Sequence, residues 1–156
     1  MPRFMVDINV AKLARWLRAL GYDTLLLPNA DDGDLLRIAL QQDRILLTKD
    51  SRILERRVIT KGQVRAYLVR QDDPLDQLSD VVREFGLNSV DSFTRCMCCN
   101  SLLVPARRTE VEGLVPPYVY ETQEEFVKCP QCRKVYWKGT HWARMNRHLS
   151  TLQERR

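Results

Sequence analysis

This chain of 156 residues contains two short cysteine motifs, Cys96-Met97-Cys98-Cys99 and Cys129-Pro130-Gln131-Cys132. Each motif can place two thiols on one turn, and two such turns supply four sulfur ligands for a closed tetrahedral zinc site: Cys96, Cys99, Cys129 and Cys132. Because four thiolates leave no open position for water, the predicted zinc is structural. A metal-held segment needs little apolar core. The motifs therefore predict a domain over 1–92, a zinc ribbon with a terminal helix over 93–149, and a frayed tail over 150–156.

The amino terminus and the cysteine usage indicate a reducing compartment. The chain reaches Asp7 before the apolar segment of a signal peptide can form, and no apolar run approaches the ~18 residues of a membrane helix. We therefore expect a cytoplasmic protein with no membrane partner, in which paired cysteines bind metal rather than form disulfides. The fifth cysteine, Cys98, is predicted to be a free thiol; a register in which it replaces Cys99 is the alternative.

The net charge of +5 is unevenly distributed along the chain. Residues 1–92 hold 14 Lys and Arg against 14 Asp and Glu, whereas residues 93–156 hold 11 against 6. A basic metal-bound segment beside a neutral domain favours a polyanionic partner, with nucleic acid as the first candidate. An apolar content of 44% is enough for a packed core, which excludes a disordered chain.

Before residue 93, short apolar runs alternate with segments of helical periodicity. The runs over 3–6, 24–27, 45–48 and 64–69 predict buried strands. Helices are predicted from Val10, from the acidic turn 31–34, over 53–59 and from Pro74. The alternation predicts an α/β fold with a parallel sheet flanked by helices and right-handed crossovers. After Asn88 the pattern predicts hairpins, and Thr140 is predicted to cap a last helix.

Three aspartates are predicted at one edge of this sheet. Asp7 and Asp50 each follow a strand, and Asp34 begins the helix that leads into the third strand. The reactive crevice of an open parallel sheet lies beyond the carboxyl ends of its strands. Converging carboxylates repel one another unless a cation joins them, and Mg²⁺ or Mn²⁺ in such a site can support phosphodiester cleavage. The alternative is local: Asp34 and Asp50 as helix caps, and Asp31 and Asp32 as turn residues.

Basic side chains on the first helix and in the ribbon are candidate phosphate contacts. In the ribbon they are interleaved with Tyr136 and Trp137, and stacking combined with phosphate contact is how single strands are bound. The alternatives are a solvated face for the first helix, which also carries Arg18, and a cover over the metal site for Trp137 and Trp142. The candidates for RNA contact are Lys12, Arg15, Arg133, Lys134, Lys138 and Arg144.

A longer pattern runs through both parts of the chain. The first part holds Asp7, residues 12–23 (Lys-Leu-Ala-Arg-Trp-Leu-Arg-Ala-Leu-Gly-Tyr-Asp), Asp34-Leu35-Leu36, and residues 44–50 (Arg-Ile-Leu-Leu-Thr-Lys-Asp). The second part adds the two cysteine motifs and residues 135–145 (Val-Tyr-Trp-Lys-Gly-Thr-His-Trp-Ala-Arg-Met). Together these residues, over about 3–149, resemble the PIN-like ribonuclease family named after the carboxyl-terminal part of Mut-seven, including its zinc ribbon.

The resemblance implies a PIN-like α/β fold with a metal-dependent ribonuclease site, fused to a zinc ribbon. From its basic and aromatic residues we expect the ribbon to aid RNA binding. It implies that Asp7, Asp34 and Asp50 hold a catalytic Mg²⁺ or Mn²⁺. Thr48 matches the small hydroxyl residue that precedes the third acid of the family.

One position departs from the pattern. Many PIN nucleases have a further acid just after the third one, and Ser51-Arg52 stands there in this chain. A fourth carboxylate would have to come from Asp31, or from Asp72 or Asp73 after the fourth strand.

The leading hypothesis is a metal-dependent ribonuclease that acts on single-stranded or loop RNA. The alternatives are a non-catalytic RNA-binding module and an interaction adaptor that uses its zinc ribbon. The sequence does not determine the oligomeric state.

Overall fold

The computed structural model describes residues 1–89 and 91–154. A four-stranded parallel sheet has the order β2-β1-β3-β4 and is flanked by helices, which confirms the predicted α/β fold. Its elements are β1 (Phe4–Val6), α1 (Ala11–Ala19), β2 (Thr24–Leu26), α2 (Asp32–Gln42), β3 (Ile45–Thr48), α3 (Arg57–Thr60), β4 (Ala66–Leu68) and α4 (Pro74–Phe85), with 3-10 helices at Ile8–Val10 and Ile53–Glu55.

The strand order reverses between β1 and β3. From β1 the chain crosses to β2 on one side, and β3 then pairs with β1 on the other, with Val6 opposite Leu47. Ligands of open α/β sheets bind at such a switch point, outside the carboxyl ends of the strands. The topology therefore marks the region after Val6 and Thr48 as the crevice.

Alternate side chains of each strand point to opposite faces of the sheet, and both faces are covered by helices, so the strands are buried on both sides. Phe4 and Val6 pack into a core with α1 and α4, whereas Met5 packs with α2 and Leu46 on the other face. Phe4, Met5, Val6 and Leu46 are fully buried. A three-residue strand can hold the centre of the sheet because each of its residues is apolar.

The smaller second part has an antiparallel sheet in the order β5-β6-β7. Its strands confirm the predicted hairpin character, but the connection between β5 and β6 is helical. Pro117 begins a helix, the first-turn position that proline tolerates. The elements are β5 (Val104–Ala106), α5 (Arg108–Val111), α6 (Pro117–Thr122), β6 (Phe126–Lys128), β7 (Val135–Tyr136) and α7 (Thr140–Glu154).

Three local predictions are corrected by the structure. The helix predicted over 53–59 is divided at Arg56, whose backbone is extended. The helix cap after β2 is Asp31 rather than Asp34. The tail from Ser150 is helical to Glu154, because Leu149 is buried and the Ser150 hydroxyl donates to the Asn146 carbonyl.

The two parts of the chain share a hydrophobic core. Met97, Met145 and Leu149 belong to the same buried cluster as Phe4 and the inner face of α1. Because the two parts pack into one core, the packing does not divide the molecule near residue 92. The domain boundary at that position stays a prediction. Within the described residues, no helix combines the length and apolarity needed to cross a bilayer.

Arg18 fixes the first cysteine motif to the domain. It is buried, which corrects the placement on a solvated stripe. Its guanidinium donates to the carbonyls of Thr24, Met97 and Cys98 at 2.9, 2.9 and 3.1 Å. One side chain thus joins the start of β2 to the cysteine turn, and the carbonyls compensate for the burial of its charge.

Candidate active site and metal centre

Asp7 is the buried carboxylate at the switch point, with 9% of its surface exposed. Its Oδ2 accepts a hydrogen bond from Thr48 Oγ1 at 2.8 Å, and its Oδ1 accepts one from the Ile8 backbone at 2.8 Å. In the described part of the chain Asp7 has no ion pair with Lys, Arg or His. Among the described residues, the carboxylate is therefore fixed by neutral donors rather than by a basic partner.

Thr48 joins Asp7 to Asp50. While its hydroxyl donates to Asp7, the same oxygen accepts from the Asp50 backbone N–H at 3.0 Å. The Asp50 carboxylate accepts from the Arg52 backbone at 3.0 Å, and its ion pair with Arg52 Nε measures 3.3 Å. The Arg52 backbone hydrogen bond is the main cause that lowers the pKa of Asp50, followed by the Arg52 side chain. Asp50 is therefore ionised at neutral pH.

Asp34 lies in the first turn of α2, which starts six residues after β2 ends at the same sheet edge. Its carboxylate forms a capping box with Asp31: Asp31 accepts from the Asp34 backbone at 2.8 Å, and Asp34 accepts from the Asp31 backbone at 3.4 Å. The other Asp34 oxygen pairs with Arg37 at 3.3 Å, and 46% of the Asp34 side chain is exposed. Asp31 thus has a capping role in this conformation.

The structure links two of the three aspartates and leaves the third apart. Asp7 and Asp50 share Thr48, but no such contact joins Asp34 to either. Among the described residues, the carboxylates of Asp7, Asp34 and Asp50 do not form a group of potential metal ligands within 4.8 Å of one another. The assignment of these three residues to one metal site stays a prediction.

The other candidate acids have local partners. Asp72 forms an ion pair with Lys49 at the surface. Asp73 caps α4, where it accepts from the backbones of Leu75 and Asp76 at 2.9 and 3.3 Å. Among the described residues, neither belongs to a group of three or more potential metal ligands.

Sequence reasoning missed Asn9. Its amide donates to Asp7 Oδ2 at 3.4 Å, and its carbonyl oxygen accepts from the Lys49 backbone at 3.2 Å. Asn9 therefore ties the segment after β1 to the segment after β3, beside Thr48. The signal available in the sequence was an amide two residues after the predicted acid, which alone does not identify a partner 40 residues away.

The four predicted cysteine ligands meet at one point. The Sγ atoms of Cys96, Cys99, Cys129 and Cys132 lie within 4.8 Å of one another. The sulfurs of Cys96 and Cys132 are 3.6 Å apart, and those of Cys99 and Cys129 are 3.1 Å apart. A zinc ion with bonds of about 2.3 Å sets tetrahedral sulfurs roughly 3.8 Å apart, so the set fits such an ion with small adjustments.

The two cysteine turns share a left-handed residue and a backbone hydrogen bond. In each, the residue after the second cysteine is left-handed, Asn100 at φ 75 and Arg133 at φ 64. The N–H of that residue donates to the carbonyl of the first cysteine, Cys96 or Cys129, at 2.9 Å in both turns. This repeated turn places the two thiols of each motif on one side of a single turn, where all four sulfurs lie within 4.8 Å of one another.

The thiols interact strongly with one another. Burial raises the pKa of Cys99, but hydrogen bonding with Ser101 and the neighbouring cysteines lowers it to about 6. A backbone hydrogen bond at Lys134 lowers the pKa of Cys132, but burial and the sulfurs of Cys96 and Cys129 raise it to about 12. Four adjacent sulfurs cannot all ionise without a cation, which is the property expected of a metal site.

Cys98 lies outside the ligand group. It is exposed, and Lys134 Nζ donates to its sulfur at 3.3 Å. The interpretation in which Cys98 replaces Cys99 is therefore wrong for this conformation. The Tyr136 hydroxyl lies 3.1 Å from the sulfur of Cys96, next to the ligands.

The predicted RNA contacts fall into two groups. Arg15, Lys134 and Lys138 line one cavity between α1 and the ribbon. The lining does not include Lys12, Arg133 or Arg144, which are exposed elsewhere on the surface. The structure thus brings together half of the predicted basic residues.

The comparisons agree with the motifs. Residues 2–149 match the family model described as the Mut7-C RNAse domain, which confirms the resemblance and covers nearly the whole chain. The family description gives the chain a ribonuclease-type function. No curated protein and no solved structure matched the chain.

Proposed function

The chain belongs to the Mut7-C RNAse domain family, and from that premise we propose that it is a PIN-like, metal-dependent ribonuclease that hydrolyses phosphodiester bonds of single-stranded or loop RNA. The observation that carries the proposal is the link from Asp7 through the Thr48 hydroxyl to Asp50, at 2.8 and 3.0 Å. Both residues follow adjacent parallel strands at the point where the strand order reverses.

The buried state of Asp7 supports a cation at this edge. A carboxylate with little exposure and no basic partner is costly unless hydrogen bonds or a cation compensate its charge. Thr48, Ile8 and Asn9 supply neutral hydrogen bonds only. A divalent ion would complete the compensation, and oxygen donors of this kind suit Mg²⁺ or Mn²⁺.

The ion pairs of Asp34 and Asp50 do not exclude them as ligands. Arg37 and Arg52 are 57% and 86% exposed, and solvent-exposed pairs contribute little net stability. Rotation of the two arginines into solvent would leave both carboxylates available. Asp7, Asp34 and Asp50 are the residues that we expect to hold the ion.

Each residue would have a separate task in the reaction. Bound Mg²⁺ or Mn²⁺ supplies a water of lowered pKa and stabilises the charge on the phosphate oxygens. Thr48 holds the carboxylate of Asp7 and the backbone of Asp50 in one orientation, and Asn9 holds the adjoining segments together. Fixed orientation matters because small misplacements at a reacting centre are costly in rate.

The remaining assignments follow from the same proposal. The four cysteines would hold a structural zinc ion, and the ribbon over 93–149 would bind RNA beside the domain over 1–92. Paired cysteines that bind metal rather than form disulfides are typical of reducing compartments, so we propose a cytoplasmic location with RNA as the partner.

A non-catalytic RNA-binding module is the second candidate. The observation that favours it is the arginine partner of two of the three aspartates, Arg37 for Asp34 and Arg52 for Asp50. In that case the acidic edge is a structural remnant, and the ribbon supplies the affinity.

The substitution Asp7→Asn tests the proposal. It nearly keeps the shape of the side chain but removes the charge and one of the two accepting oxygens, so we expect cleavage to fall by roughly 100-fold or more. The assay uses a labelled single-stranded RNA with Mg²⁺ or Mn²⁺, and it is read on a denaturing gel.

Asp43→Asn is the matched control. Asp43 is exposed, lies before β3 at the opposite edge of the sheet, and has a left-handed φ of 52 that asparagine tolerates well. It should leave cleavage unchanged. Equal cleavage by the Asp7→Asn variant and the parent would show that the carboxylate assignment is wrong; RNA binding by the parent without product would support the binding module.

A further inference from the structure

A cavity of about 510 Å³ lies where the ribbon meets α1 and α7. Its walls include the rings of Phe93, Tyr136, Trp137 and Trp142 and the side chain of Met145. The volume is within the range of about 300–1,000 Å³ that is typical of small-molecule sites. Neither the acidic edge nor the zinc ligands use this space.

The rings are held in place by their neighbours. Phe93 and Trp142 have ring centroids 5.5 Å apart with a tilt of 48°. A Cβ at Gly139 would lie 2.7 Å from Trp137 Nε1, so glycine permits the indole to lie against the backbone. The walls of the cavity are therefore largely preformed.

The cavity is also positively charged. Arg15, Lys134 and Lys138 line it, and Glu125 is the only acid among its described lining residues. Lys138 Nζ lies 5.4 Å from the ring centre of Trp142, and Lys134 Nζ lies 5.8 Å from that of Tyr136. An apolar peptide or a lipid tail would not require these cations, whereas an anionic aromatic ligand matches both the rings and the charges.

We propose that this cavity binds one unpaired base of the RNA, stacked on Trp142, with Arg15, Lys134 and Lys138 contacting the adjacent phosphates. This inference rests on the proposed function, because it identifies the part of the substrate that the ribbon recognises. Duplex RNA keeps its bases stacked and paired, so the cavity selects single strands and loops.

The position of Arg15 connects the cavity to the acidic edge. Asp7 precedes the helical segment that leads into α1, and Arg15 lies eight residues further along. At the rise of 3-10 and α-helices, this corresponds to roughly 12 Å. The exposed Lys12 lies one turn before Arg15 on the same helix. The ribbon itself contacts the domain through Asn100 and Asp23, which lie at the other sheet edge. A single strand with its base in the cavity can therefore run from the ribbon along α1 towards Asp7.

The test compares two ligands of equal charge. Binding of a fluorescent 12-nucleotide single-stranded RNA and of a fully abasic backbone of the same length is measured by anisotropy, on the zinc-loaded Asp7→Asn protein so that no cleavage occurs. We expect the abasic backbone to bind roughly 5- to 100-fold more weakly, the range for loss of base stacking on an aromatic ring.

Variants assign the effect to the cavity. Trp142→Ala should weaken RNA binding by a similar factor and leave binding of the abasic backbone unchanged. Trp142→Leu should do the same while it keeps an apolar side chain against Phe93, so the test does not depend on the alanine variant folding. Leu114→Ala, which changes an exposed residue outside the lining, should leave both affinities unchanged.

Each outcome decides the inference. Equal affinity for the two ligands, an equal loss for both in the Trp142→Leu variant, or no binding of either ligand would overturn it. Cleavage by the parent protein is measured separately. Cleavage without base-dependent binding would overturn the inference that the cavity binds a base and would support the ribonuclease. Base-dependent binding without cleavage would support the base-binding cavity and count against the ribonuclease.

Discussion

The cysteine cluster and the aspartate edge both collect residues that are distant in sequence, but they differ in how complete they are. The four sulfurs lie within 4.8 Å of one another, whereas Asp7 and Asp50 are joined only through Thr48, and Asp34 is paired with Arg37. Two cysteines three positions apart are brought together by one turn. The three aspartates lie on three separate segments, and their positions relative to one another depend on the sheet.

The same difference predicts how each region responds to loss of a cation. The four sulfurs lie so close together that they cannot all ionise without a cation, so a metal bound there would be part of folding. Asp34 and Asp50 have alternative partners in Arg37 and Arg52, and Asp7 accepts neutral hydrogen bonds from Thr48 and Ile8. Loss of a cation there should change activity and leave the fold intact.

The largest expected effect is at the cysteine cluster. Cys129→Ser removes a buried predicted ligand, and we expect loss of zinc and unfolding of residues 93–154. The reason is that zinc binding contributes an apparent free energy of about 10–16 kcal/mol in small zinc modules. Zinc content and thermal unfolding by circular dichroism measure it. Cys98→Ser is the matched control, and loss of zinc from that variant would contradict the ligand assignment.

Arg18→Met should have the next largest effect. It leaves the carbonyls of Thr24, Met97 and Cys98 without their donor, so we expect the free energy of unfolding to fall by about 3 kcal/mol. Denaturant unfolding measures the change. Arg15→Met alters an exposed arginine on the same helix and should cost less than about 0.5 kcal/mol; similar losses in both variants would show that Arg18 has no special role.

Thr48→Val sharpens the view of the aspartate edge. The substitution keeps the shape and removes the hydroxyl that links Asp7 to Asp50, so we expect cleavage to fall roughly 10- to 100-fold, as for loss of an orienting contact at a metal site. Thr48→Ser keeps the hydroxyl and should retain most of the activity. Equal cleavage rates for the two variants would show that the Thr48 hydroxyl does not contribute to the reaction.

The smallest expected effect is at Asp23, which joins the two parts of the molecule. Burial raises the pKa of Asp23, but hydrogen bonds from Arg44 and Asn100, at 2.8 and 2.7 Å, outweigh it and lower the pKa below 3.8. Because the folded state binds its proton less tightly, this stabilisation is present above pH 4 and is lost as the pH falls through the lowered value. Asp23→Asn should therefore cost about 1–2 kcal/mol at pH 7.

The pH dependence checks the sign of that prediction. Unfolding of the parent and of the Asp23→Asn variant is measured between pH 7 and pH 2.5, and the difference between them should shrink below pH 4. Asp43→Asn should show no such convergence. A difference that grows in acid would mean that the protonated form of Asp23 is the stabilising one.

Local patterns predicted the elements well wherever one property dominated. The run Ile45–Thr48 was recognisable as a buried strand because it is short and mostly apolar, and all four residues are buried. Pro74 begins α4, where its missing backbone N–H removes no hydrogen bond. The pattern did not distinguish Asp31 from Asp34 as the cap of α2, because both can accept from the same turn. Arg18 was misplaced because its partners, Met97 and Cys98, are about 80 residues away.

The sequence by itself determined the parallel sheet, the cluster of four cysteines and the family, because burial on both faces and cysteines three residues apart leave local signatures. Only the tertiary structure decided that Thr48 and Asn9 hold the segment of Asp7 beside that of Asp50, that Arg18 anchors the ribbon, and that Trp142 and Arg15 line one cavity. Those contacts join residues from separate elements, and a side chain's partner across such a distance is set by packing, which no single segment encodes.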